Sequence, residues 1–196
     1  TLDPQTLHRE AIVFDAHCDT LETVLKDNRP FVERSPLGDN DVPRLLEGGV
    51  TAQIFAACPW PAALHGRDPL RDALRMWDVF YQGLESSPDL ILARKAADVR
   101  QAKAEGRLAG ILALEGGDAL QGDLGLLRML YRLGLRNLQF THNLRNELAD
   151  GVFQAHSGGG LTEFGAQVLK ECNRLGIMLD IAHLAPAGVR DVLERS

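Results

Sequence analysis

Cysteine is scarce in this 196-residue chain: Cys18, Cys58 and Cys172 are an odd number at irregular spacing. That excludes a disulfide framework and a paired zinc-knuckle pattern. It predicts free thiols in a reducing, cytoplasmic compartment. No apolar run is long enough to span a bilayer, and no secretory-signal pattern opens the sequence. A basic stripe is also missing. The 21 basic residues face 27 acidic ones, for a net charge of -6, which argues against a nucleic-acid partner. No glycine-rich phosphate loop follows the first β-prone run, which argues against a dinucleotide fold. There is no internal repeat and no low-complexity segment. What the chain does have is 45% hydrophobic residues, enough for one sizeable core, and its length predicts a single domain over residues 1–196.

Five apolar, β-prone runs are present, at residues 11–14, 50–57, 108–114, 137–141 and 177–182. Helical patterns alternate with them. One covers residues 43–47 and is closed by Gly48-Gly49. Asp68-Pro69 reads as an N-cap and first turn, after which Leu70, Leu74, Trp77, Tyr81 and Leu84 predict a buried face. Further helices cover 98–105, 124–133 and 162–175, ended by Gly106, Gly134 and Gly176. A last one opens at Pro186. Alternating β and α elements imply an α/β fold with a parallel sheet and right-handed crossovers. An open doubly wound sheet and a (β/α)8 barrel both fit this order. Polar candidates at the C-terminal ends of several strands are the barrel arrangement. Residues 29–40 and 146–160 read as loops of the kind that lie over an active site.

The chemistry sits at those strand ends. His17 and Asp19 are two residues apart after an apolar run. On a strand both would point to one side, a ready pair of metal ligands. Glu115 ends Leu112-Ala113-Leu114, His142 follows Phe140-Thr141, and His183 follows Asp180-Ile181-Ala182. Histidines and carboxylates converging on one barrel mouth are zinc chemistry. A carboxylate between two histidine-bearing strands can bridge two ions about 3.5–4 Å apart that share a hydroxide. Each residue also has a structural alternative. Glu115 could serve a helix start, as could His183, and His142 could be a hydrogen-bonded core histidine. Glu47-Gly48-Gly49 repeats the letters of Glu115-Gly116-Gly117 but ends a helix, so it reads as structural. His8, His65 and His156 read as surface or loop residues, with His156 a candidate for the rim of the site. Asp15 and Asp180 are expected outside the metal shell, where they orient a ligand by hydrogen bonding or serve structure alone.

These segments resemble the membrane (renal) dipeptidases and their bacterial relatives, peptidase family M19 of the amidohydrolase superfamily. The resemblance is carried by Asp15-Ala16-His17-Cys18-Asp19, Asp41-Val42-Pro43-Arg44-Leu45, Ala52-Gln53-Ile54-Phe55 and Leu114-Glu115-Gly116-Gly117. It continues through Leu138-Gln139-Phe140-Thr141-His142-Asn143, Gly160-Leu161-Thr162-Glu163-Phe164-Gly165 and Asp180-Ile181-Ala182-His183. The segments run in family order over nearly the whole chain.

The resemblance implies a TIM-like (β/α)8 barrel, of which this chain supplies roughly the first five βα units. It also implies two zinc ions per complete active site. His17 and Asp19 would bind one zinc, Glu115 would bridge both, and His183 would bind the second. His142 would polarise the substrate carbonyl, so Glu115 and His142 would carry catalysis. The implied reaction is hydrolysis of a dipeptide, with a D-residue tolerated at the C-terminal position, by a metal-bridging hydroxide. A homodimer is the implied assembly. The family's second histidine on the second zinc, its carboxylate-binding arginine and a C-terminal aspartate come from later strands and have no counterpart here. The chain is therefore expected to be an N-terminal portion of a longer catalytic domain. Five strands cannot close an eight-stranded barrel, which predicts exposed parallel edges. Leu144 stands where some mammalian relatives have a disulfide cysteine, so that staple is not expected. Two other functions stay open: a catalytically inactive metal-binding or scaffold protein, and an amidohydrolase acting on N-acyl amino acids.

Overall fold

In the computed structural model, residues 3–59 and 68–196 are described; His65 lies outside them. The chain forms two compact units, Thr1–Ala56 with Arg75–Leu112, and Ala57–Leu74 with Ala113–Ser196. Among the described residues no helix is long and apolar enough to cross a membrane.

The first unit opens with α1 (Pro4–Glu10), where Asp3 accepts from the Gln5 amide at 3.0 Å and proline fills the first turn. β1 (Phe14–Cys18), α2 (Thr20–Asp27), α3 (Val42–Glu47) and β2 (Ala52–Ala57) follow. Then come α4 (Pro69–Ser86), β3 (Leu90–Leu92), α5 (Ala96–Glu105) and β4 (Leu108–Glu115). The strands β1, β2 and β4 are neighbours in that order, with β3 on β4. The β1–β2 and β3–β4 pairs are parallel. All of β2 and β4 is buried, as expected of parallel strands covered on both faces. The first three residues of β1 are exposed.

Several elements depart from the sequence pattern. β1 lies at 14–18 rather than 11–14; before it, the Val13 carbonyl already accepts from the Thr51 and Ala52 amides at 2.8 and 3.1 Å. The short strand β3 and the helices α1 and α2 were not expected. The buried face of α4 is Ala73, Met76, Trp77 and Phe80, while Leu74 is 39% exposed. The helix is thus rotated from the expected Leu70–Leu74–Tyr81 stripe. The reason is aromatic packing: Phe80 sits 5.5 Å from Phe55 and 6.2 Å from Phe31, ring centre to ring centre. Gly110 on β4 lets these rings approach, since a Cβ there would lie 2.4 Å from the Phe80 ring.

The second unit holds the end of β4, α6 (Leu124–Arg132), β5 (Leu135–Gln139), α7 (Glu163–Leu175), β6 (Met178–Asp180) and α8 (Pro186–Arg195). Strands β4, β5 and β6 are neighbours in that order, and β5 pairs with β6 in parallel. Beyond β4, the amides of Gly116 and Gly117 donate to the Gln139 and Phe140 carbonyls at 3.1 and 2.9 Å. Thr162 caps α7 by accepting from the Gly165 amide at 2.9 Å, and Gly176 ends it in a left-handed conformation. The expected loop at 146–160 contains a 3-10 turn, Val152–Ser157. Two isolated bridges, Ala149 to Leu161 and Gly151 to Leu184, tie it down. β6 leaves Met178 and the following Ile181 exposed. The parallel α/β succession of a TIM-like barrel's opening units is therefore present.

Candidate metal centre

His17 is the fourth residue of β1 and Asp19 the first beyond it. Asp19 is not on the strand. It turns into the start of α2, where it makes no side-chain capping bond, and its Oδ1 lies 3.3 Å from His17 Nε2. The expected pairing of the two side chains holds, but the chain turn produces it rather than strand alternation. Asp15, two residues before His17, shares its parity, and its Oδ1 accepts from the His17 amide at 3.3 Å. The β1–β2 register shifts between Asp15 and Cys18, so the strand is irregular where the histidine sits. Bulges recur beside functional side chains because they re-aim them.

In the second unit three predicted residues converge. Glu115 closes β4 and is 5% exposed. Its Oε1 lies 3.6 Å from His183 Nε2 and 3.7 Å from His142 Nε2. The two imidazole rings are 4.8 Å apart. These separations are long for hydrogen bonds. They approach the spacing of about 3.4 Å between donor atoms that share one tetrahedral ion through bonds of about 2.0–2.2 Å. A buried carboxylate facing two imidazoles fits a divalent metal on donor chemistry.

The supporting bonds fix this arrangement. Gln139, the last residue of β5, donates from Nε2 to Glu115 Oε1 at 3.2 Å and to the Thr141 carbonyl at 3.0 Å. Asn143 lies between the histidines. Its Oδ1 is 2.8 Å from His183 Nδ1, and its Nδ2 is 3.5 Å from His142 Nε2. With Nδ1–H of His183 donated to the amide oxygen, the lone pair of Nε2 is left facing Glu115, the usual way a ligand histidine is oriented. His183 has a left-handed backbone, φ 63°, uncommon for a residue with a side chain. The hydroxyl of Thr141 and the amide of Val152 both donate to its carbonyl, at 3.1 and 2.8 Å, and hold it there.

The sequence pattern of the membrane dipeptidase family, peptidase family M19, matches residues 3–196. The chain belongs to the membrane dipeptidase family. Solved structures agree. The chain is 32% identical to dipeptidase AC, a metallopeptidase of family M19, with a TM-score of 0.84, covering 94% of this chain and 61% of that one. It is 29% identical to a metallopeptidase from Rhodobacter sphaeroides, solved with a phosphinate mimic of the dipeptide L-Ala-D-Ala. There the TM-score is 0.82, covering 94% of this chain and 62% of that one. The probable dipeptidase PvdM from Pseudomonas aeruginosa, at 22% identity and a TM-score of 0.82, shares the fold. The chain thus spans about three fifths of the length of the first two M19 relatives.

Glu47 ends α3 and pairs with Arg34 on the surface, a structural residue as its position implied. His8 bonds the Gly48 carbonyl at 2.8 Å and fastens α1 to the end of α3. His156 lies exposed in the 3-10 turn. Asp180 accepts from the Ala182 amide at 2.8 Å, a turn bond just before His183. None of the three cysteines is in a disulfide. Sequence reasoning missed Gln139, Thr141 and Asn143 as supports of the site. All three lie in the stretch 138–143, and what marked them was only their nearness to His142.

Proposed function

We propose that this chain carries most of the metal-binding set of a zinc dipeptidase. In that reading His17 and Asp19 would hold one zinc, His183 would hold a second, and Glu115 would be shared by both. The observation that supports it most is the buried Glu115 carboxylate with His183 and His142 nitrogens 3.6 and 3.7 Å from one oxygen. Bound zinc would supply a hydroxide at neutral pH and stabilise negative charge on the scissile carbonyl oxygen.

The chain's own groups do the rest. Gln139 holds the Glu115 carboxylate in one orientation. Asn143 holds the Nδ1 proton of His183, which keeps Nε2 available as a ligand. His142, which is one third exposed, is open to a substrate carbonyl and donates a hydrogen bond to its oxygen as charge develops there. The Rhodobacter sphaeroides relative, with its mimic of L-Ala-D-Ala, supports a dipeptide substrate that accepts a D-residue at the C-terminal position. The family resemblance supports a homodimer.

The test is release of free alanine from L-Ala-D-Ala by the zinc-loaded protein. Cleavage is expected. Zinc bound without any cleavage of dipeptides would replace this reading with that of an inactive metal-binding protein.

A further inference from the structure

The second unit holds a donor that the zinc reading leaves unused. Cys58 directly follows β2 and precedes Pro59, which biases residue 58 toward extended backbone and restricts where its side chain can point. A ligand atom of Cys58, one of Glu115 and one of His142 all lie within 4.8 Å of one another. Cys58 and His142 are half-buried and Glu115 is buried. The set offers sulfur, carboxylate oxygen and imidazole nitrogen. A thiolate in such a set selects soft or borderline cations over magnesium and calcium, which prefer oxygen. Cys172, by contrast, is fully buried, and burial pushes its thiol up to about 12, an environment hostile to a thiolate.

We propose that Cys58, Glu115 and His142 form a binding position for a thiophilic divalent cation such as cadmium or cobalt(II). The inference rests on the reading of Glu115 as a metal-facing carboxylate. When the cation binds, the S–H bond of Cys58 breaks, its proton passes to solvent, and the sulfur's electron pair forms the bond to the metal. The cation also takes the lone pair of a His142 nitrogen. It therefore competes with the substrate carbonyl for that ring and makes the position inhibitory.

Cobalt(II) reports on its ligands. Titrating the metal-free protein with cobalt is expected to give a near-ultraviolet sulfur-to-cobalt charge-transfer band along with the visible cobalt bands. The near-ultraviolet band should be lost in Cys58→Ser, which retains Cys18 and Cys172. Visible bands without the sulfur band in the unaltered protein would overturn the Cys58 assignment and leave the zinc reading standing. A sulfur band that persists in Cys58→Ser would overturn it as well. No cobalt binding at all would overturn both. If Cys58→Ser does not fold, alkylation of the unaltered protein by iodoacetamide, mapped by mass, decides the matter. Cadmium should protect Cys58, and equal modification with and without cadmium would overturn the proposal.

Discussion

Asn143 separates two histidines that are otherwise placed alike. His142 and His183 have nitrogens at nearly the same distance from Glu115, but they meet Asn143 differently: His183 Nδ1 lies 2.8 Å from its amide oxygen and His142 Nε2 lies 3.5 Å from its amide nitrogen. Removing that oxygen frees the His183 ring to rotate and to change tautomer. Asn143→Ala should weaken metal binding by about 10–100-fold, the usual cost of losing a ligand's orienting partner, as read by competition with a coloured chelator. His142→Ala should act differently: metal content stays, while kcat falls by about 10²–10³-fold, the loss typical of one donor to a developing oxyanion. Loss of metal in His142→Ala would instead make that ring a ligand. Glu115, His142 and His183 were legible because each is a reactive side chain directly after an apolar run. Asn143 and Gln139 were not, because an amide near a histidine is as common in turns as in active sites, and only the fold shows which atoms it meets. The His17–Asp19 pairing was legible, but its cause was not: nothing in the letters says that β1 stops at Cys18 and that Asp19 begins α2.

The segment between His142 and α7 behaves as a brace for the site. Asp150 is 4% exposed and sits at its centre. It accepts from Arg145 Nη2 at 2.8 Å and from the Ser157 hydroxyl, and its carbonyl accepts the Ala185 amide at 2.9 Å. The bond from Arg145, then that from Ser157, holds the Asp150 carboxyl below the ordinary carboxylate range. A depressed carboxyl stabilises the fold above the unfolded value of about 4, and this contribution is lost as pH falls through the lower folded value. Asp150→Asn should therefore lower the urea midpoint clearly at pH 7, and the gap from the unaltered protein should narrow as pH falls below the unfolded value of about 4. In the first unit, Gly110→Ala forces a methyl group into the Phe31–Phe55–Phe80 cluster. The ring it meets is fully buried and has no room to yield, so a loss of about 1–3 kcal/mol is expected in denaturant unfolding. At this scale the helix ends were legible, since Thr162, Gly106, Gly176 and Pro186 act locally. β3 was not, since three residues carry no readable period. The face of α4 was not either, since packing of distant aromatic residues chose it.

At the level of the whole molecule, the α/β class and its parallel strands follow from the alternation of elements, and family membership from the ordered segments around the site. The two compact units change over at Ala56/Ala57 inside β2, Leu74/Arg75 inside α4 and Leu112/Ala113 inside β4, within elements and not between them. Metal should also stabilise the protein as a whole, because an ion that binds only the folded state adds about 2.7 kcal/mol at a free concentration one hundred times its Kd. Chelation should lower Tm, and added zinc should restore it. The most direct measurement is metal content by elemental analysis, on the unaltered protein and on Glu115→Gln side by side. The account predicts zinc in the first, about two ions per complete site, and loss of most of it in the second. Equal zinc in both would contradict it, since the carboxylate at the meeting point of His142 and His183 would then hold no metal.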